Sequence, residues 1–212
     1  MATTAAPSKI GEDIRDDGAK RRQIIEGAQR VFLENGFDAA SMNEIARAAG
    51  VSKGTLYVYF KSKEELFAAI VGERAHEQGH QIFTLDRTAD IERELTRVGR
   101  AFSSFMSRPN GVSELRTVMA IANRMPELGV KFYLAGPASA VEQLRTYLQD
   151  KVQDGVLEPH DCEVSAAQFI DSCLATTFKP MIFNHSGPPS DERVAHVVGM
   201  AVRAMLAAYR RS

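Results

Sequence analysis

The sequence predicts an all-α protein, with a small N-terminal three-helix domain followed by a larger helical domain. Three observations carry this. Apolar residues recur at i, i+3, i+4 and i+7 along most of the chain, no segment alternates with period two, and β-branched runs are absent. A chain of 212 residues, 44% hydrophobic and 25% charged, can build its cores without a disulfide or metal staple.

Residues 1–19 are expected to form a flexible tail, which is acidic: Lys9 and Arg15 stand against Glu12, Asp13, Asp16 and Asp17. After Lys20, the residues Ile24, Ala28, Val31 and Phe32 make one apolar stripe, and Asn35-Gly36 is a stop signal. Ser41 precedes a second stripe, Met42, Ile45, Ala46 and Ala49, and forms a capping box with Glu44. Gly50-Val51 turns the chain. Ser52 caps a short helix whose buried side is Leu56 and Phe60. Ser62 with Glu65 makes a second capping box and opens a long helix from Lys63 to about Phe83.

Residues 41–60 therefore spell helix, glycine turn and short helix, packed on a preceding helix, which is a helix-turn-helix. The short helix adds little core, yet carries Lys53, Thr55, Tyr57, Val58 and Tyr59 on its other faces. An α-helix fits the major groove of DNA, lysine and tyrosine hydroxyl reach phosphates, and valine meets a thymine methyl. Net charge is −1, but from Lys20 to Lys63 eight basic residues face four acidic ones, a local +4. Such a patch is the footprint of a nucleic-acid surface.

The stretch SMNEIARAAGVSKGTLYVYFKSKEELF resembles the DNA-binding domain of the TetR family of bacterial transcriptional regulators, and the likeness runs from about Lys20 to Ile70. It implies a homodimer, an N-terminal DNA-binding domain (20–70) and a larger ligand-binding and dimerisation domain (71–212), with repression relieved by a small molecule. It also implies that Lys53, Gly54, Thr55, Tyr57, Val58 and Tyr59 enter the major groove, with Ser41, Met42, Lys61 and Lys63 near the DNA backbone. Lys53 and Gly54 fall where family members approach base edges, Tyr57 and Lys63 where they hold phosphates.

One motif points elsewhere. His76 to His80 reads HEQGH, the H-E-x-x-H pattern of zinc peptidases, in which two histidines share a metal and a glutamate acts as base. It lies near the end of the long helix, lacks a supporting third ligand downstream and contains a helix-weakening Gly79. No catalytic residue, metal or cofactor is therefore expected. A zinc peptidase and a helical adaptor that binds no DNA are the competing readings.

Beyond Ile91 the breaks at 108–111, 125–126, 136–137, 158–159 and 187–189 divide the chain into helices near 90–107, 112–124, 127–154, 161–184 and 190–210. The passage RTVMAIANRMPELGVKFYLAGPASAVEQLRTYL resembles the C-terminal domain of an AefR-like TetR subgroup. Pro137 and Pro180 are expected to bend their helices, and Gly136-Pro137 to break one midway. The candidates for lining an effector cavity are Phe102, Phe105, Met106, Met119, Phe132, Tyr133, Phe169, Phe178 and Met181. In the last helix Val194, Val198, Ala201, Met205 and Ala208, spaced 4, 3, 4 and 3, read as a dimer seam. Cys162 and Cys173 read as reduced thiols, and the chain has no apolar run of membrane-spanning length and no export signal, which places it in the cytoplasm.

Overall fold

The computed structural model describes residues 9–108 and 110–211, which form two compact units, 1–70 and 71–212. The first unit comprises α1 (Lys9–Ala39), α2 (Met42–Ala49), α3 (Lys53–Tyr59) and the start of α4 (Lys63–Phe83). The expected flexible tail needs correction. Residues 1–8 lie outside the described residues, but from Lys9 onward the chain is already helical and runs into α1 without a break. The acidic residues of that stretch sit in the helix N-terminal turns, where negative charge complements the macrodipole.

Gly36 ends the regular part of α1, with φ of 74° and ψ of 171°, as the Asn-Gly pair predicts. Ser41 and Glu44 form both halves of the capping box on α2, and Gly50, left-handed at φ 65°, closes that helix. Ser52 accepts the Thr55 amide at 3.0 Å. The second capping box is only half formed. Ser62 accepts the Glu65 amide, but the Glu65 carboxylate takes the amide of Lys61 rather than that of Ser62. A core of Ile24, Ala28, Ile45, Leu56, Phe60, Leu66 and Ile70 holds the four helices together.

The second unit contains the rest of α4, then α5 (Ile91–Met106), α6 (Gly111–Arg124), α7 (Pro126–Tyr133), α8 (Ser139–Gln153), α9 (Cys162–Cys173), α10 (Phe178–Ile182) and α11 (Asp191–Tyr209). Its main core joins Phe83, Leu95, Val98, Leu144, Leu148, Phe169, Val198 and Val202. A smaller apolar cluster unites Val112, Phe178 and Met181 with Met106, Leu115, Leu174 and Ile182. Cys162 and Cys173 are free and buried, and burial pushes the Cys173 thiol up to about 12.

Two proline effects differ from expectation. Pro137 does not break its helix. Leu134–Ala138 widens into a π-helical turn that joins α7 to α8, so the missing proline amide is absorbed by a wider ring. The helix expected over 161–184 is in fact two, because Pro180 removes the donor that would reach Thr176 and its ring crowds that carbonyl. The break falls at Leu174–Thr177, and Thr176 is left-handed at φ 62°.

Arg97 fastens the 84–90 loop to α5. Its guanidinium donates to the Ile82 and Thr84 carbonyls and to the buried Glu94 carboxylate, which also accepts the Asp86 amide. The Arg97 contact holds the Glu94 carboxyl below its ordinary value of 4.5. A depressed folded-state pKa gives stability that is present above the unfolded value and lost as pH falls through the folded one. Glu94→Gln is expected to cost about 2 kcal/mol at pH 7 and to flatten the acid limb of stability below about pH 4.5. Urea melts of both proteins between pH 3 and 7 measure this. Parallel acid limbs would remove Glu94 from that role.

Candidate nucleic-acid interface

The candidate surface is built on α3. Leu56 and Phe60, four apart and buried, pin one side of this helix to the first core. The opposite side then faces outward: Lys53 and Gly54 are exposed, and Val58 is 82% exposed. Tyr57 is 43% exposed, and the Lys53 ammonium stands 5.9 Å from its ring centroid, a cation–π pair one turn apart. Gly54 leaves open space, with only the Ser52 hydroxyl near where a Cβ would stand. Thr55 is half-buried and shares a 2.8 Å hydrogen bond with Ser52, so its hydroxyl first serves the helix start.

The helices behind α3 are locked from the α1 side. Gln23 donates to the Ala49 carbonyl at 2.7 Å and Arg30 to that of Ala48 at 2.6 Å, which satisfies the C-terminal carbonyls of α2. Gly27 lets α1 and α2 touch, since a Cβ there would lie 2.6 Å from both Cα and Cβ of Ala49. Lys61 is exposed. Arg47, exposed on the last turn of α2, is a cation that the sequence reading passed over. Its only signal was membership of the +4 segment.

Three residues expected at DNA turn out to serve the fold. Lys63 donates to the carbonyls of Phe37, Asp38 and Ala40 at 3.0, 2.9 and 3.2 Å, and stands 4.8 Å over the Phe37 ring. All three ammonium protons are spoken for, so Lys63 closes the end of α1 instead of holding a phosphate. Tyr59 and Met42 are half-buried against the first core. Ser41 is half-buried, with its hydroxyl 2.7 Å from the Glu44 carboxylate. That contact holds the Glu44 carboxyl below its ordinary range.

The predicted effector residues divide. Met106, Phe178 and Met181 meet in the smaller apolar cluster. Phe169 belongs to the main core, and Phe102 and Phe105 pack against it. Met119 and Tyr133, at 57% and 59% exposure, line no interior, and Phe132 is half-buried. A shallow groove lies elsewhere, between Phe83, Leu85, Arg87 and α8, and none of the predicted residues lines it. Arg87 bridges to Asp150 there at 2.6 Å, and burial pushes the Tyr147 hydroxyl up to about 12.

The predicted dimer seam is overturned. Val194, Val198, Ala201 and Met205 are buried within the chain's own main core, and only Ala208 is exposed. A 4, 3, 4, 3 stripe marks a helix face that is covered, and α5 and α9 of the same chain cover this one. The outward face of α11 is instead His196, Met200, Arg203, Ala204 and Ala207. The HEQGH histidines and Glu77 are exposed on α4, and among the described residues no three metal-ligating side chains gather. No described helix is long and apolar enough to cross a membrane.

Comparison with known proteins agrees with this architecture. Residues 24–70 match the model of bacterial regulatory proteins of the tetR family, and residues 93–211 match that of the AefR-like transcriptional repressor C-terminal domain. The HTH-type transcriptional repressor Rv1474c of Mycobacterium tuberculosis is 40% identical over 65 residues, a match covering 31% of this chain and only 34% of that protein. A structure from Mesorhizobium loti, described as a TetR-family transcriptional regulator, is 27% identical with a TM-score of 0.82, over 92% of this chain and 98% of that one. The flavonoid-responsive regulator FrrA is 29% identical with a TM-score of 0.76, over 91% and 98%. The second-unit match alone spans more than half the chain, and with the helix-turn-helix match it decides the matter: this chain belongs to the TetR family and is a DNA-binding transcriptional regulator.

Proposed function

We propose that the protein is a homodimeric repressor that holds a near-palindromic operator through α3 and leaves it when a small molecule binds the second unit. The observation that carries this is the division of α3 into a buried Leu56–Phe60 side and an outward side of Lys53, Gly54, Tyr57 and Val58. In this reading Val58 meets a thymine methyl, Lys53 reaches a base edge over the open Gly54, and Tyr57 and Lys61 hold phosphates. Thr55 and Ser41 stand at the margin, and Arg47 joins the phosphate contacts. A twofold pair would present two α3 helices about 34 Å apart, one per half-site. The pairing surface is the outward face of α11, around Met200, Ala204 and Ala207, beside Val164 and Ala167 of α9.

The effector is proposed to be a planar aromatic compound of the flavonoid type. Likeness to FrrA supports the class, and the cluster of Met106, Phe178 and Met181 supplies apolar walls of adaptable shape. Arg74 on α4 and Arg108 beside α5 both pair with Glu114 on the first turn of α6. This joint is the route by which a ligand at the cluster would bias α4, the helix that leads back to α3. Chemistry is not part of this reading, since regulators of the family are generally non-enzymatic.

Fluorescence anisotropy with the protein's own upstream region tests it. Tyr57→Phe is expected to weaken binding three- to tenfold on every sequence, while Val58→Ala costs about 1 kcal/mol at one base pair only. Wild-type protein that ignores its upstream region in low salt would favour the helical adaptor. A Tyr57 effect confined to sequence preference would exchange the two roles.

A further inference from the structure

Leu95, Gly99, Ser103 and Ser107 follow one another at intervals of four on α5, so they share one stripe. At Gly99 this stripe meets α9 and α11 so closely that a Cβ would lie 2.7 Å from Val198 and 2.9 Å from Cys173. Further along, it carries two hydroxyls. Ser103 is fully buried and Ser107 is 7% exposed, yet neither oxygen has a hydrogen-bond partner. A buried hydroxyl without a partner costs stability, whereas alanine at either place would keep the helix and remove the cost.

The surroundings give these hydroxyls a setting. Ser107 follows Met106, which packs with Phe178 and Met181 in the smaller apolar cluster, while Ser103 follows Phe102, packed on the main core. The stripe thus runs from one apolar cluster toward the other. The corner between α9 and α10 is strained as well. Thr176 is β-branched yet left-handed at φ 62°, and its hydroxyl is tied to Arg193 of α11 at 2.5 Å. Strain of this kind is retained where the surroundings demand it, commonly at ligand clamps.

We infer that the Ser103 and Ser107 hydroxyls are the polar contacts of the effector site, and that the effector is an aromatic molecule carrying a hydroxyl that pairs with them. This rests on the effector reading above and adds the polar half of the site to its apolar walls. Serine both donates and accepts, so a phenol satisfies one of these oxygens while its ring lies on methionine and phenylalanine. Arg108, the next residue after Ser107, donates to Glu114, so occupancy of the site would act directly on the joint to α4.

The test uses full-length protein, flavone and its monohydroxy derivatives as probes, and the variant S103A/S107A. In wild type at least one monohydroxy derivative is expected to bind about tenfold tighter than flavone. In the double variant that advantage falls to twofold or less, flavone affinity stays the same, and operator affinity without probe is unchanged. No hydroxyl advantage in wild type, or an advantage that survives in the variant, overturns the assignment. So does an equal loss for flavone and its derivatives, which would mean a collapsed site. An unchanged preference with a higher melting temperature would show that the hydroxyls hold only buried water. Tight, serine-dependent binding that fails to release the operator would instead overturn the effector reading and leave the site standing.

Discussion

Glutamate at both Met200 and Ala204 is expected to give a folded monomer with at least a hundredfold weaker operator binding. Met200 is 50% exposed and Ala204 is exposed, so two carboxylates there remain hydrated in a single chain and meet like charges only across a twofold. Losing the partner separates the two half-site contacts, and the avidity gained by linking two sites is typically of order 10²–10⁴. Val198→Glu should behave quite differently. Val198 is completely buried between α5 and α9, and an unpaired carboxylate there is expected to cost more than about 4 kcal/mol, a large part of the stability of an ordinary domain. Sedimentation and thermal melts of the two variants separate the cases. Unchanged sedimentation of the Met200/Ala204 variant would move the interface off this face. A folded, monomeric Val198→Glu protein would restore the seam first read from the sequence.

Gly27→Ala is the second large effect. Alanine is usually worth about 1 kcal/mol more than glycine in a helix, which by itself predicts stabilisation. Here its Cβ would lie 2.6–2.7 Å from the backbone and Cβ of Ala49, and backbone does not swing aside as a side-chain tip does. The net expectation is a loss of about 2–3 kcal/mol, felt where α1 packs on α2. Operator binding should collapse, because α3 is aimed by that packing. Hydrogen exchange should quicken across residues 20–60 while amides of the second unit keep their protection. Gly79→Ala provides the control: the same change on α4, with nothing within 4 Å of the new Cβ, should leave stability equal or higher. If Gly27→Ala binds DNA normally, α1 and α2 are not rigidly seated.

The sequence determined what depends on neighbours along the chain. Capping at Ser41 and Ser52, the stops at Gly36 and Gly50, and the Leu56–Phe60 buried side of α3 are all interactions over a few residues, and each is found where its pattern predicts. The helix-turn-helix was legible for that reason. What the tertiary structure decided is where a face or a charge goes once helices pack. The α11 stripe showed that one face is covered, but hydrophobic burial has no direction and does not say whether the cover is α5 and α9 or a second chain. The ammonium of Lys63 was one cation among several in a basic segment. Only the fold brings Phe37, Asp38 and Ala40 within reach, 23 to 26 residues away, and turns a phosphate candidate into a helix cap. Pro137 and Pro180 carried the same local signal, a missing donor, yet one produced a π-helical turn and the other a broken helix. A lost backbone hydrogen bond can be relieved by widening or by breaking, and which is cheaper depends on what the turn packs against.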